Sequence, residues 1–297
     1  MKLHMGEAEL ELGGPYLGEL RDSNDIRDDA AALRARLDED GYLLVRGLHD
    51  RDTVRAARRV LLEALRREGK LSPEAGPDEA LRAPGAKGAF WGGKKEITHA
   101  EPVLRVLESD ALMGFFARLL DGPVLTYDYK WIRGVGSGEF TGAHYDIVYM
   151  GRGTPNVLTC WTPLGDIGYG DGPLAICVGS HRFDRIRDTY GRMDVDRDRV
   201  DGWFSNNPVE IVDKFGGQWR TSTFRMGDAL IFGMYTLHGS LNNDSESFRL
   251  SADARYQLAS EPVDERWIGD KPLAHYAWHA EPDKVVRMEE ARAKWGV

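Results

Sequence analysis

In the first hundred residues apolar side chains recur three and four apart. The stretches DDAAALRARLDEDG (28–41) and DRDTVRAARRVLLEALRREG (50–69) each carry leucines and alanines at that spacing and end on glycine, which predicts two amphipathic helices with a short strand, YLLVRGL, between them. VLRVLESDALMGFFARLL (103–120) repeats the helical pattern. After residue 122 the period changes to two. VLTYDYKWIRGV, AHYDIVYM, NVLTCWTPL, PLAICVG, DALIFGMYTLHGS and FRLSADARYQLA read as strands bounded by glycine, proline and asparagine. Helices first and many short strands later predict one domain over 1–297, mainly β with α. Its helical part is expected at about 1–121, a sandwich or barrel core at about 122–260, and a carboxyl-terminal tail at 261–297. Residues 182–225, charged and aromatic, break the strand pattern; a connection of that length is expected to be a functional loop, a lid over a substrate.

Composition narrows the classes. The 297 residues are 42% hydrophobic and 10% aromatic, enough for a sizeable core. Net charge is −9 with the cations scattered among acids, which excludes a nucleic-acid footprint or a polybasic membrane patch. The apolar run ALMGFFARLL is too short to span a bilayer, and MKLHMGEAEL lacks a signal-peptide core, so a soluble cytoplasmic protein is expected. Two cysteines, Cys160 and Cys177, are too few for a disulfide framework or a cysteine-rich zinc site.

The candidate chemistry lies in His-x-acid pairs. Three occur: His99 with Glu101, His144 with Asp146, and His279 with Glu281. The first precedes Pro102 and a helical pattern, and the third has no later histidine to complete a set, so both are expected to be solvated or capping side chains. On a strand, side chains two apart share a face, so His144 and Asp146 can reach one ion. Two imidazoles and a carboxylate on one face of an octahedron suit non-haem Fe(II). Downstream, GDALIF leads to His238, and eleven residues on comes Arg249, on a stretch where Arg249, Ser251, Asp253 and Arg255 alternate with Phe248, Leu250, Ala252, Ala254 and Tyr256. Such a polar face meets either water or an interior that holds a metal and an anion.

The ordered set His144-x-Asp146, DGPLAICVGSH (171–181), GDALIF (227–232), His238 and Arg249 resembles the phytanoyl-CoA dioxygenase family of Fe(II)- and 2-oxoglutarate-dependent oxygenases, and EDGYLLVRGLHDRDTVRAARRVLLEAL (39–65) is similar to that family's amino-terminal portion. The resemblance implies a double-stranded β-helix, or jelly roll, with helices packed outside. It implies that His144, Asp146 and His238 bind Fe(II), and that 2-oxoglutarate and O2 are cosubstrates. The far carboxylate of 2-oxoglutarate would meet Arg249, with Ser251, Ser240, Trp161 and Lys130 as further contacts and Arg255 as the competing anchor. The reaction implied yields succinate and CO2 and hydroxylates a C–H bond of a small molecule. Desaturation, epimerisation and ring closure use the same ligands, whereas halogenation is disfavoured because Asp146 is present.

No basic cluster suited to coenzyme A phosphates is visible, so a smaller metabolite is expected. Tyr145, Tyr149, Trp131, Trp203, Phe204 and Trp219 are either pocket or core. Two other readings compete. A metal-binding β-helix without catalysis would not need the Arg249 clamp, and a cupin enzyme without 2-oxoglutarate would usually offer more histidines near His144.

Overall fold

The computed structural model describes residues 1–275 and 285–297. The two expected helices form where their caps allow. Asp29 accepts a hydrogen bond from the Ala32 amide at 3.0 Å to start Ala30–Asp40, and Gly41, at φ 82°, ends it in a left-handed turn. Asp50 does the same for Arg51–Arg67 through the Thr53 amide at 2.8 Å. The pattern at 103–120 divides into Glu101–Leu107 and Asp110–Leu120, because Ser109 takes extended backbone and caps the second helix through the Leu112 amide. Leu61, Leu62, Leu65, Phe115 and Phe116 pack with Ile132, Cys160, Leu250, Ala252, Ala254 and Tyr256, so the helices cover the outer face of a sheet.

That sheet has seven strands. Tyr42–Val45, Ala229–Gly233, Leu158–Pro163, Arg249–Leu258, Trp131–Val135 and Ala89–Phe90 lie side by side, and Val124–Thr126 also pairs with Arg249–Leu258, all antiparallel. A second sheet of four faces it: His238–Ser240, Leu174–Val178, Gln218–Thr221 and Leu17–Glu19. Between the two lie Tyr42, Leu44, Trp161, Ile176, Phe224, Leu230 and Phe232. Two facing sheets, antiparallel except where Gln218–Thr221 pairs in parallel with Leu17–Glu19, with helices against one of them, make the expected double-stranded β-helix.

Several expectations are corrected. The amino-terminal part opens in β: Lys2–Met5 and Ala8–Glu11 form a hairpin that buries Leu3, Met5 and Leu10, and Leu17–Glu19 joins the smaller sheet. Their period of two is carried by only three or four residues each, too few to stand out. Segment 182–225 is not one loop. It holds the helix Pro208–Phe215 and then Gln218–Thr221, a strand interior to the smaller sheet with Trp219 fully buried. The tail is also built in, since Met288–Trp295 buries Met288 and Ala291 and Arg292 pairs with Glu210 at 2.6 Å.

DALIFGMYTLHGS, expected as one strand, is two. Ala229–Gly233 belongs to the large sheet, a turn follows in which the Thr236 amide donates to Gly233 O, and His238–Ser240 belongs to the small one. Asp228 fixes the start of this crossing: nearly buried, it accepts from Arg46 Nη1 at 2.7 Å, the Gly47 amide at 3.1 Å and the Arg225 amide at 2.9 Å. Removing its charge leaves a cation and two amides poorly matched. Asp228→Asn is expected to lower unfolding free energy in urea by about 1–3 kcal/mol while metal binding by the folded protein is retained.

Candidate metal centre and cosubstrate pocket

His144 and Asp146 do not lie on a regular strand. His144 makes an isolated antiparallel bridge to His238, with its amide donating to His238 O at 3.0 Å and the return bond at 3.2 Å. Asp146 already has helical backbone and leads into the turn Ile147–Met150. The bridge brings the imidazoles together at the edge of the smaller sheet, ring centroids 4.1 Å apart and planes tilted by 53°, and the turn brings the carboxylate within reach of both. One ligand atom from each of His144, Asp146 and His238 lies within 4.8 Å of the others. The separations from Asp146 Oδ1 are 3.9 Å to His144 Nε2 and 3.7 Å to His238 Nε2.

The remaining polar atoms of the three are already engaged. His144 Nδ1 lies 2.9 Å from Gly142 O and His238 Nδ1 lies 3.0 Å from Thr236 O, so in both rings the proton belongs on Nδ1 and Nε2 keeps its lone pair. Asp146 Oδ2 accepts from Thr159 Oγ1 at 2.5 Å and from Arg255 Nη2 at 3.1 Å, leaving Oδ1 for an ion. Burial disfavours the charged imidazoles, holding His144 down at about 3 and His238 below its ordinary range, so both are neutral donors. For Asp146 burial acts to raise the carboxyl, but the Arg255 guanidinium and the Thr159 hydrogen bond outweigh it and hold the group ionised. Two neutral nitrogens and one carboxylate oxygen, all buried, fit a divalent iron.

Along Arg249–Leu258 the polar face turns inward, and it is buried too. Arg249, 4% exposed, donates from Nη1 to Ser251 Oγ at 2.6 Å and lies over the Trp161 ring at 5.8 Å; its Nε is buried with no partner among the described residues. Burial pushes its guanidinium down to about 10, partly offset by Asp253, so it stays a cation at neutral pH. A buried arginine with a donor unspent is matched to a carboxylate. Ser240 Oγ accepts from the Thr141 amide at 2.9 Å, tying down the segment that carries His144. Arg255 is engaged with Asp146 through Nη2 and stacks on Trp131 at 4.2 Å, while its Nε and Nη1 are buried with no partner among the described residues.

Lys130 is a correction. It is fully buried but points to the helix side, where Nζ meets Glu108 at 2.9 Å, Thr126 Oγ1 at 3.1 Å and Tyr127 O. Trp131 faces inward, so its neighbour must face outward. Of the aromatic candidates, Trp131, Tyr149 and Trp203 line a cavity of about 280 Å³ in front of the metal ligands, together with Phe90, Tyr129, Arg133 and Thr141. Tyr145, Phe204 and Trp219 are core: the Tyr145 hydroxyl donates to Ser180 O at 2.7 Å and Trp219 Nε1 to Pro208 O at 3.0 Å. His99 follows the short helix Lys95–Thr98, and Glu101 opens the next and pairs with Arg105; His279 and Glu281 lie outside the described residues. Thr159, Thr141, Phe90 and Arg133 escaped sequence reasoning. The two-residue parity from Trp161 back to Thr159, and from Trp131 on to Arg133, was the signal available.

Residues 37–251 match the phytanoyl-CoA dioxygenase (PhyH) family. Among individual proteins, a 1-deoxypentalenic acid 11-beta-hydroxylase of Streptomyces exfoliatus is 30% identical over 273 residues, covering 82% of this chain and 87% of its own. Two solved structures share the fold: the epimerase SnoN from nogalamycin biosynthesis in complex with Fe3+, alpha ketoglutarate and nogalamycin RO (18% identity, TM-score 0.55, 80% of this chain and 86% of that one), and EctD from S. alaskensis with 2-oxoglutarate and 5-hydroxyectoine (19%, 0.56, 96% and 94%).

Because Lys130 serves the helix packing and not the pocket, Lys130→Met is expected to reduce thermal stability by an amount equivalent to about 1–3 kcal/mol, Glu108 being partly exposed, and to leave the affinity for 2-oxoglutarate as in the wild type. A weakened cosubstrate titration with unchanged melting would restore it to the site.

Proposed function

The chain belongs to the phytanoyl-CoA dioxygenase family, and from that premise we propose that His144, Asp146 and His238 hold its Fe(II) and that Arg249 and Ser251 receive the far carboxylate of 2-oxoglutarate. The protein is an Fe(II)- and 2-oxoglutarate-dependent dioxygenase acting on a small molecule. When bound, the iron supplies the redox chemistry by which O2 and 2-oxoglutarate become succinate and CO2 while a substrate C–H bond is oxidised. The rest is the work of the chain, which we read as one oxygenase domain from the amino-terminal helices to the helix Met288–Trp295.

The observation that carries this reading is the division of labour around Asp146. One oxygen is held by Thr159 and Arg255 and the other faces both Nε2 atoms, so the three side chains would hold an ion from one side and leave room for further ligands. Arg249 orients: its fixed fork, braced by Ser251 and by the Trp161 ring, can bind a carboxylate through parallel hydrogen bonds in a site shielded from water. The aromatic walls at Tyr129, Trp131 and Tyr149 exclude solvent from the reacting face and hold the substrate against it. Hydroxylation is the outcome we favour, supported by the 30% identical hydroxylase and by the carboxylate ligand that a halide would have to replace.

Titrating 2-oxoglutarate into the anaerobic Fe(II) protein is expected to give a visible charge-transfer band, and Asp146→Ala is expected to lose both the band and succinate formation. Arg249→Leu is expected to keep Fe(II) but bind 2-oxoglutarate more weakly by about 2–4 kcal/mol. Wild-type protein without the band, or full succinate formation by Asp146→Ala, would overturn the assignment.

A further inference from the structure

The cavity in front of the proposed metal ligands mixes cations with aromatic rings. Arg133 and Arg255 flank Trp131 on the inner face of the large sheet, and the rest of the lining includes Phe90, Tyr129, Tyr149, Trp203 and His275. Arg255 is 3% exposed, and its Nε and Nη1 are buried with no partner among the described residues, although Nη2 is held by Asp146. Arg133 stands nearer the mouth. Its side chain is 37% exposed and lies over the Phe90 ring at 5.2 Å; Phe90, opposite it on the sheet edge, is itself 47% exposed. Its Nε reaches Asp253 Oδ2 at 3.5 Å, and among the described residues neither Nη group has a partner.

The charges of this interior do not cancel. Arg133, Arg249 and Arg255 face Asp146 and Asp253, three cations against two anions. A ferrous ion adds two positive charges and 2-oxoglutarate removes two, so one positive charge is left over. That surplus falls at Arg133, the outermost of the three, whose Nη groups have no partner among the described residues and are free to meet an anion. We propose, resting on the oxygenase reading above, that the primary substrate is a small monoanionic carboxylic acid with an apolar body, and that Arg133 is the residue that binds its carboxylate. A carboxylate carries the single charge required, where a phosphate monoester carries close to two. Arg249 lies deep and fully enclosed, whereas Arg133 lies at the open end between the metal ligands and solvent, the side from which a second molecule enters. With its carboxylate at Arg133, the apolar body of the acid lies along Tyr129, Trp131, Tyr149 and Trp203, which places its carbon chain and not its acid group toward the iron ligands.

The test is calorimetric titration of the anaerobic protein loaded with Fe(II) and 2-oxoglutarate, using phenylacetate, hydrocinnamate and adamantanecarboxylate, each against its methyl ester. Fluorescence of Trp131 and Trp203, which line the cavity, gives a second readout. At least one acid is expected to bind roughly tenfold or more tightly than its ester. Arg133→Gln is expected to erase that preference and Arg133→Lys to keep part of it, both with an unaltered 2-oxoglutarate charge-transfer titration. The proposal is overturned if no acid outbinds its ester, if the preference survives in Arg133→Gln, or if that variant weakens 2-oxoglutarate in the same proportion, which would make Arg133 part of the cosubstrate site. A wild-type protein that gives no charge-transfer band fails at the oxygenase reading itself, a different result from a normal band without acid preference.

Discussion

A strand carrying three ionised side chains is buried on both of its faces, and the rest of the molecule is arranged around that constraint. Outward, Arg249–Leu258 gives Leu250, Ala252, Ala254 and Tyr256 to the helices; inward, it gives Arg249, Ser251, Asp253 and Arg255 to the space between the sheets. Buried charges persist only where partners are supplied. Arg255 finds Asp146, Asp253 finds Arg133, and Arg249 has Ser251 and a donor to spare. The interior is thus polarised before any ligand arrives, with positive charge to spare at Arg249 and at Arg133.

The candidate metal ligands gain their geometry from the backbone. His144 and His238 exchange amide hydrogen bonds at the edge of the smaller sheet, so the distance between their rings depends on main-chain pairing, and each ring is then oriented by a carbonyl two residues before it, Gly142 or Thr236. Asp146 reaches the same point from a helical turn. That turn is what an expectation of a continuous strand at 143–150 could not supply, because AHYDIVYM has β-branched and aromatic residues compatible with either form, and only tertiary pairing decides.

The sequence disclosed the chemistry better than the architecture. The candidate triad, which the fold brings together, was legible because iron restricts the donor types, and the inward row of Arg249–Leu258 because a period of two repeats over ten residues. The strand within 182–225 was hidden, since Gln218–Thr221 is four residues long after a pair of glycines, and its place in a sheet depends on partners at Leu17 and Cys177 far along the chain. Lys130 was misplaced by ignoring parity with Trp131. Thr159 and Arg255, which settle the orientation of Asp146, had no motif of their own. They follow from inward positions on neighbouring strands, where Arg255 lies opposite Thr159.

The crossing between Ala229–Gly233 and His238–Ser240 puts one continuous stretch of chain in both sheets. The candidate triad and Arg249 are attached to this shared spine and its neighbours, while the cavity walls come from separate places: an edge strand at Phe90, a peripheral excursion at Trp203, and the turn after Asp146 at Tyr149. Oxidative machinery and substrate shape are therefore inherited through different segments. Evolution can redraw the walls residue by residue, exchanging one metabolite for another, without reopening the problem of how to hold the metal.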